Sequence, residues 1–157
     1  MVLFGFRLRF FLLVTVLSLI FAAAPIYSEQ WEDPSSLIGL TLHELFGRFG
    51  PPKSVYPARG GEAWQDDVVF VYDQGDFYIL KDRVWQVSFK AVMGIKAGDN
   101  AASVALVLGS RGSVRPAEGR ENSVFYFLDG KSWPMILRCD FDRNGKVTVI
   151  YIYRSDL

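Results

Sequence analysis

The chain has 157 residues, and 17 Lys and Arg balance 17 Asp and Glu, so its formal net charge is zero. This balance argues against the clustered positive charge that binds nucleic acids, and no polybasic run is present for anionic lipid. Cys139 is the only cysteine, so no disulfide can form within the chain. The fold must therefore be held by its core, for which 13 Phe, 7 Tyr and 4 Trp are available.

Residues 1–28 are typical of a secretory signal peptide. Arg7 and Arg9 precede the uncharged apolar run 10–24, which is shorter than the about 20 residues that span a membrane. We predict cleavage after Ser28; the alternative is an uncleaved N-terminal anchor, and the leader is then the only membrane contact. No cysteine lies near the end of the leader, so we expect a periplasmic or secreted protein that is not a lipoprotein.

The remaining residues 29–157 are enough for one ordinary domain or two very small ones. Removal of the leader takes away two arginines and leaves 15 basic against 17 acidic residues, a net charge of about −2. Residues 29–36 are a polar N-terminal segment. Two stretches that follow share one pattern, in which eleven positions separate a pair of glycines: Gly39 from Gly50, and Gly98 from Gly109. We expect a first unit at 37–90 and a second at 91–157.

The first unit opens with a predicted helix. Thr41 is a good N-cap, and Glu44 three residues later completes a capping box. Gly50 and the following Pro51-Pro52 end the helix. The predicted buried stripe consists of Leu42, Leu45, Phe46 and Phe49.

Three strands are predicted in each unit. After a loop at 53–67 come Val68–Tyr72, Phe77–Leu80 and Val84–Phe89, whose short connections favour antiparallel hairpins. Residues 91–97 link the units. Asp99 or Asn100 caps a second helix that runs to Leu108, and after a polar loop at 110–122 the strands are Val124–Leu128, Trp133–Phe141 and Lys146–Arg154. The prediction is an α+β fold of two tandem α-β-β-β units, with about six antiparallel strands and both helices packed on one face.

Both faces of the last strand are largely apolar. Tyr151 and Tyr153 alternate with Ile150 and Ile152, which is more apolar surface than a sheet with one helix layer requires. Either the second face exposes aromatic side chains to a binding partner, or long loops fold over it and bury it. The same alternation places Val147 and Val149 with the tyrosines.

The repeated motif resembles a known family. It consists of Gly39-Leu40-Thr41, a short helix with Leu45 and Phe49, a closing Gly50-Pro51-Pro52, and then Trp64 and Tyr72. This pattern is similar to the SmpA/OmlA group of outer-membrane assembly proteins, the BamE family, whose fold is shared with the tandem-repeat β-lactamase inhibitor proteins (BLIP). The second copy keeps Gly98, Val104, Leu108 and Gly109, with Arg111 where Pro52 stands.

The resemblance implies two BamE/BLIP-like units that bind another protein. Members of the assembly family typically carry an acylated cysteine after the leader, and this chain has none. The doubled unit is more similar to the inhibitor architecture, in which a concave sheet grips a protein partner.

Residues that carry catalysis are few. His43 is the only histidine and Cys139 the only cysteine, too few for a zinc site, and Cys139 alternates onto an apolar face as a small buried residue. The run from Asp140 to Gly145 matches half a calcium loop, but Tyr151 stands where a glutamate is required, and a hairpin turn explains the same residues. We expect no enzyme, no catalytic residue, no metal and no cofactor.

The sequence favours a non-enzymatic exported scaffold that binds another envelope protein, of the outer-membrane assembly or maintenance type. Trp and Tyr dominate binding hot spots, so the candidate anchors are Trp85, Trp133, Tyr151 and Tyr153. Two alternatives stay open. One is an inhibitor of a secreted or periplasmic hydrolase that inserts Glu62 or Asp66; the other is a small-ligand or lipid carrier with an apolar cavity between the units.

Overall fold

The computed structural model describes residues 33–59, 67–112, 114–117, 122–129 and 132–157. The predicted leader lies outside these residues. So do Trp64 and the two candidate inhibitory residues, Glu62 and Asp66. A 3-10 helix, Pro34–Leu37, forms at the end of the predicted polar segment. The described α-helices are α1, Leu42–Phe49, and α2, Ala101–Gly109.

The described strands form one large antiparallel sheet and one small hairpin. The large sheet has eight strands in the order β1-β2-β3-β4-β10-β9-β8-β7, while β5 pairs only with β6. Each half of the large sheet is a four-stranded meander, and the halves join where β4 pairs with β10. The strands are β1 Ser54–Ala58, β2 Asp67–Val71, β3 Asp76–Leu80, β4 Arg83–Phe89, β5 Ala91–Val92, β6 Ile95–Lys96, β7 Val114–Pro116, β8 Ser123–Leu128, β9 Met135–Phe141 and β10 Val147–Arg154.

The predicted α+β fold with about six strands is wrong, because the molecule is dominated by an eight-stranded sheet. The two additional strands are its edges, β1 and β7, which lie in segments predicted as loops. Pro57 in β1 and Pro116 in β7 have no N–H to donate, and proline in a sheet is confined to such edge positions. Most of β1 is also exposed, so it shows no alternation of apolar and polar residues that would predict a strand.

The two halves of the sheet repeat the same contacts before each helix. The backbone N–H of Gly39 donates to the carbonyl oxygen of Val84, and that of Gly98 donates to Val147, both at 2.8 Å. Gly39 has φ +90° and Gly98 has φ +93°, a region that residues with a side chain rarely adopt. Each half of the described chain therefore starts its helix from the same glycine turn, docked on the start of a central strand.

A β-bulge lies one residue beyond each of these valines. Trp85 interrupts the pairing of β4 with β3, and Thr148 interrupts that of β10 with β9. The bulge at Thr148 places the side chain at the start of β10 on the opposite face of the sheet from the one that simple alternation predicts. Val147 is consequently 2% exposed in the core and not on the side of the tyrosines, so its predicted orientation is wrong.

The predicted N-caps of both helices are confirmed, whereas the second helix ends one residue later than predicted, at Gly109. Thr41 N–H donates to Glu44 Oε2 at 2.8 Å, and Glu44 N–H donates to Thr41 Oγ1 at 3.2 Å, which completes the capping box. At α2 the cap is Asn100, whose Oδ1 accepts from Ser103 N–H at 2.8 Å. The predicted stripe of α1 is narrower than expected, because Leu45 is fully buried while Phe46 is 41% exposed.

One continuous core lies between the helices and the sheet. It includes residues of both halves, and at the join of β4 and β10 it is filled by side chains that are at most 2% exposed, namely Val87, Phe89, Ile150 and Ile152. Cys139 is fully buried in the same core, as predicted. All helix packing thus takes place on one face of the sheet.

Candidate functional site

The face of the sheet opposite the core carries aromatic and apolar side chains interspersed with polar and charged ones, and we call it the aromatic face. Its residues alternate along each strand with core residues such as Phe77, Val87 and Leu137. One row crosses all eight strands: Tyr56, Val69, Tyr78, Gln86, Tyr153, Ile136, Phe127 and Arg115. The next row is Ser54, Val71, Asp76, Ser88, Tyr151, Arg138 and Phe125.

The aromatic face is partly accessible to solvent. Phe127 is 43% exposed and Tyr56 is 40% exposed, whereas Val69 between the tyrosines is fully buried. Most other aromatic residues of the face are half-buried. Large aromatic side chains in contact with water across a whole sheet face are a feature of binding surfaces.

Three of the four predicted anchors lie on this face. Trp85 contacts Tyr153 edge-on, with ring centroids 6.5 Å apart at 71°, and its indole N–H donates to Asp67 Oδ1 at 3.1 Å. Tyr151 contacts Tyr78 in the same way, at 6.5 Å and 64°. These edge-on pairs fix the orientation of each ring against its neighbour.

Trp133 does not share the surface of the other three. It packs against the core just before β9, and the guanidinium of Arg154 lies 3.7 Å from its ring centroid. Its indole nitrogen is so close to Gly39 that a Cβ there would stand 2.6 Å away. Trp133 therefore lies apart from the other three predicted anchors, on the core side, where it joins the second half to the first.

A cluster of three tyrosines and one carboxylate lies around β3 on the aromatic face. Tyr56 and Tyr78 flank Val69 in one row of the face, and Asp76 lies two residues before Tyr78 on the same side of β3. Burial raises the pKa of Tyr78, and the nearby Tyr151, Tyr56 and Asp76 raise it further. Tyr78 is therefore a neutral hydroxyl at physiological pH, and the only formal charge of the cluster belongs to Asp76.

The cations in the other half of the face are matched by carboxylates. Arg138 lies with its guanidinium carbon 4.5 Å from the ring centroid of Tyr151, and its Nη2 donates to Asp140 Oδ2 at 2.8 Å. Asp140 Oδ1 in turn accepts from Ser123 Oγ at 2.8 Å. Arg115 forms an ion pair with Asp129 at 3.1 Å. Each arginine is thus neutralised locally.

Tyr56, Tyr78 and Arg138 were not among the predicted site residues. Tyr56 was missed because β1 was predicted as a loop. Tyr78 and Arg138 carry a signal that was available, since each stands between two core residues of its strand. Extending the alternation from the last strand to β3 and β9 would have placed both on this face.

Two of the candidate chemical groups, Cys139 and Asp142, have structural roles. Burial raises the pKa of Cys139 to about 12, so the thiol stays protonated and is a poor nucleophile. His43 is exposed on α1. Asp142 Oδ1 accepts from the backbone N–H of Asn144 at 2.8 Å and of Lys146 at 2.9 Å, which makes the half-calcium motif a hairpin turn.

Two observations concern only the described part of the chain. It contains no group of three or more His, Cys, Asp or Glu side chains that could hold a metal ion. None of its helices has the length and apolar character needed to cross a membrane.

No family model and no curated protein matches the sequence. Among solved structures, the chain is similar to the 1.5 Å crystal structure of an extracellular protein containing a SCP domain from Bacillus anthracis str. Ames, with a TM-score of 0.49 and 15% identity. The similarity covers 80% of this chain and 48% of that one, so the chain spans about half the length of the protein it matches.

Proposed function

We propose that this chain is an exported, non-enzymatic domain that binds another protein of the cell envelope on its aromatic face. The observation that carries the proposal is the partly exposed row from Tyr56 to Arg115 across all eight strands. The helices pack on the other face, so the row is not covered by them. Tyr and Trp are the residues most enriched at binding hot spots. The predicted leader supports a periplasmic or secreted location, and the resemblance of the repeated glycine motif to the SmpA/OmlA group is the reason to propose a scaffold role of the outer-membrane assembly type.

The edges of the sheet are poor sites for the partner. A protein that binds by adding a strand uses the free N–H and C=O groups of an edge. Pro57 and Pro116 remove one N–H from each edge strand, a device that blocks strand addition. Binding through side chains of the face is therefore favoured over binding through the backbone of an edge.

The filled join between the halves gives no support to the lipid-carrier alternative. Val87 and Ile152 are fully buried where β4 meets β10, in the place where a carrier of this architecture would need its cavity.

The test is crosslinking in intact cells with the full chain, followed by identification of the retained proteins by mass spectrometry. Two variants, Tyr56→Ser and Phe127→Ser, each remove one of the most exposed aromatic rings of the face. Leu106→Ser is the matched control, because Leu106 is 78% exposed on α2, away from the face. We expect Tyr56→Ser and Phe127→Ser each to lower the free energy of binding to the partner by about 2 kcal/mol or more, so that less partner is retained. The control should retain the partner.

The folded state of each variant is checked by circular dichroism. If the face variants are folded and hold the same partners as the parent chain in unchanged amounts, the face is not the binding surface and the proposal is wrong.

A further inference from the structure

The interior of the aromatic face shows how this surface holds a cation. The guanidinium of Arg138 lies on the ring of Tyr151 and is paired with the carboxylate of Asp140. An aromatic ring and a carboxylate together supply both the π face and the counter-charge that a guanidinium requires. This arrangement lies entirely within the second half of the sheet, on the strands β9 and β10.

The two halves of the sheet have equivalent positions, which can be counted from the paired valines of the central strands. Asp76 pairs with Ser88, four residues after Val84, and Arg138 pairs with Tyr151, four residues after Val147. Asp76 and Arg138 are therefore equivalent, although their charges are opposite. The first half has a carboxylate where the second half has a guanidinium.

The cluster around Asp76 has the same components as the Arg138 site except for the cation. Tyr56 and Tyr78 provide rings on either side of Val69 in one row of the face, and Asp76 stands in the next row, two residues before Tyr78. The carboxylate also raises the pKa of both tyrosines. No hydrogen bond or ion pair joins the Asp76 carboxylate to another residue in the described parts of the chain. The two arginines in the described rows of the aromatic face, Arg138 and Arg115, are already paired with Asp140 and Asp129.

We infer that the cluster of Tyr56, Tyr78 and Asp76 binds an Arg or Lys side chain of the partner protein. The inference rests on the proposed function and names the chemistry of its partner: a basic segment that places its cation between the tyrosine rings and the carboxylate. Charge favours such a partner, because the chain without its leader carries a net charge of about −2. A second copy of this chain is less suitable, since the arginines in the described rows of its own face, Arg138 and Arg115, are already paired with Asp140 and Asp129.

The first experiment measures binding of a fluorescent hexa-arginine peptide to the full chain by fluorescence anisotropy. A hexa-citrulline peptide is the matched probe, because it keeps the shape of arginine without its charge. We expect the arginine peptide to bind at least about tenfold more tightly than the citrulline peptide, with the difference shrinking as salt is raised.

Variants assign this binding to the cluster. Asp76→Asn and Tyr56→Leu are each expected to weaken binding of the arginine peptide about fivefold. Asp129→Asn removes one charge from the opposite half of the same face and is expected to change affinity less than twofold. Equal effects of Asp76→Asn and Asp129→Asn, or equal binding of the two peptides, would overturn the inference in favour of unspecific attraction.

The same Asp76→Asn variant separates this inference from the proposed function. In the cell-crosslinking test, a partner lost with Phe127→Ser but retained with Asp76→Asn leaves the aromatic face as the binding surface and refutes the cation site. A partner that is retained with both variants refutes the cation site and the aromatic face as the binding surface. Light scattering of the purified chain supplies the remaining outcome, because a dimer that dissociates on Asp76→Asn would show that a second copy occupies the face.

Discussion

Gly39 and Gly98 occupy equivalent turns with nearly identical φ angles, so alanine substitutions at the two positions separate backbone strain from a packing clash. An alanine at φ +93° costs about 1–2 kcal/mol of stability. At Gly98 this is the whole expected loss, because a Cβ there meets no atom within 4 Å. At Gly39 the Cβ would stand 2.6 Å from Trp133 Nε1 and 3.3 Å from Cε2.

Trp133 cannot move away freely, because the guanidinium of Arg154 is stacked on its ring at 3.7 Å and is held in turn by Asp156. Overpacking of this kind adds about 1–3 kcal/mol, so Gly39→Ala should lose about 3 kcal/mol in total and clearly more than Gly98→Ala. The assay is urea unfolding followed by circular dichroism, with the slope of the transition compared between variants.

A double variant, Gly39→Ala with Trp133→Leu, is the control. Its loss should be smaller than the sum of the two single losses, because the smaller side chain relieves the clash. Equal losses for Gly39→Ala and Gly98→Ala, with additive behaviour of the double variant, would refute the contact of Trp133 with the first glycine turn.

Four further predictions concern stability and reactivity. Thr41→Ala removes the capping box of α1 and should cost about 1 kcal/mol in urea unfolding, whereas Thr41→Ser should cost much less. The hydrogen bonds that Glu44 accepts from Thr41 lower its pKa from 4.5, so its contribution is full above that pH and is lost as pH falls through the folded-state pKa; acid titration of Glu44→Gln should show a shallower loss of stability than the parent. Cys139 should react with a thiol reagent at pH 8 only as fast as the protein unfolds, and fast reaction in the native state would show that it is not buried. Pro57→Thr restores an N–H on the edge of the sheet and should increase concentration-dependent self-association, measured by light scattering. If the variant scatters light as the parent chain does at every concentration, the proline does not protect this edge.

Local sequence signals predicted the parts of the fold that are determined locally. The Thr41–Glu44 capping box and the strands β2, β3, β4, β8 and β10 came from side-chain chemistry and periodicity, and the structure differs from these strand predictions by one residue at the ends. The edge strands could not be found in this way, because an exposed strand with a proline lacks both alternation and a full set of backbone donors.

The errors at the candidate site have a different physical origin. Tyr151 and Tyr153 follow simple alternation and were placed correctly, but the bulge at Thr148 reverses the side of Val147. Trp133 lies before the start of its strand, so its direction depends on contacts with Arg154 and with the first glycine turn, far away in sequence. Partners on the face, such as Tyr56 and Tyr78, become neighbours only through the register of the sheet.

The join of β4 with β10 has a consequence for how this surface can diversify. A dimer of two identical four-stranded halves would show each side chain twice, so a carboxylate at the position of Asp76 would reappear across the axis. In one continuous chain the equivalent positions are independent, and Asp76 faces Arg138 across the central strands. Because the two halves are covalently connected, the charges on the face differ between equivalent positions. A partner can therefore bind the face in a single orientation.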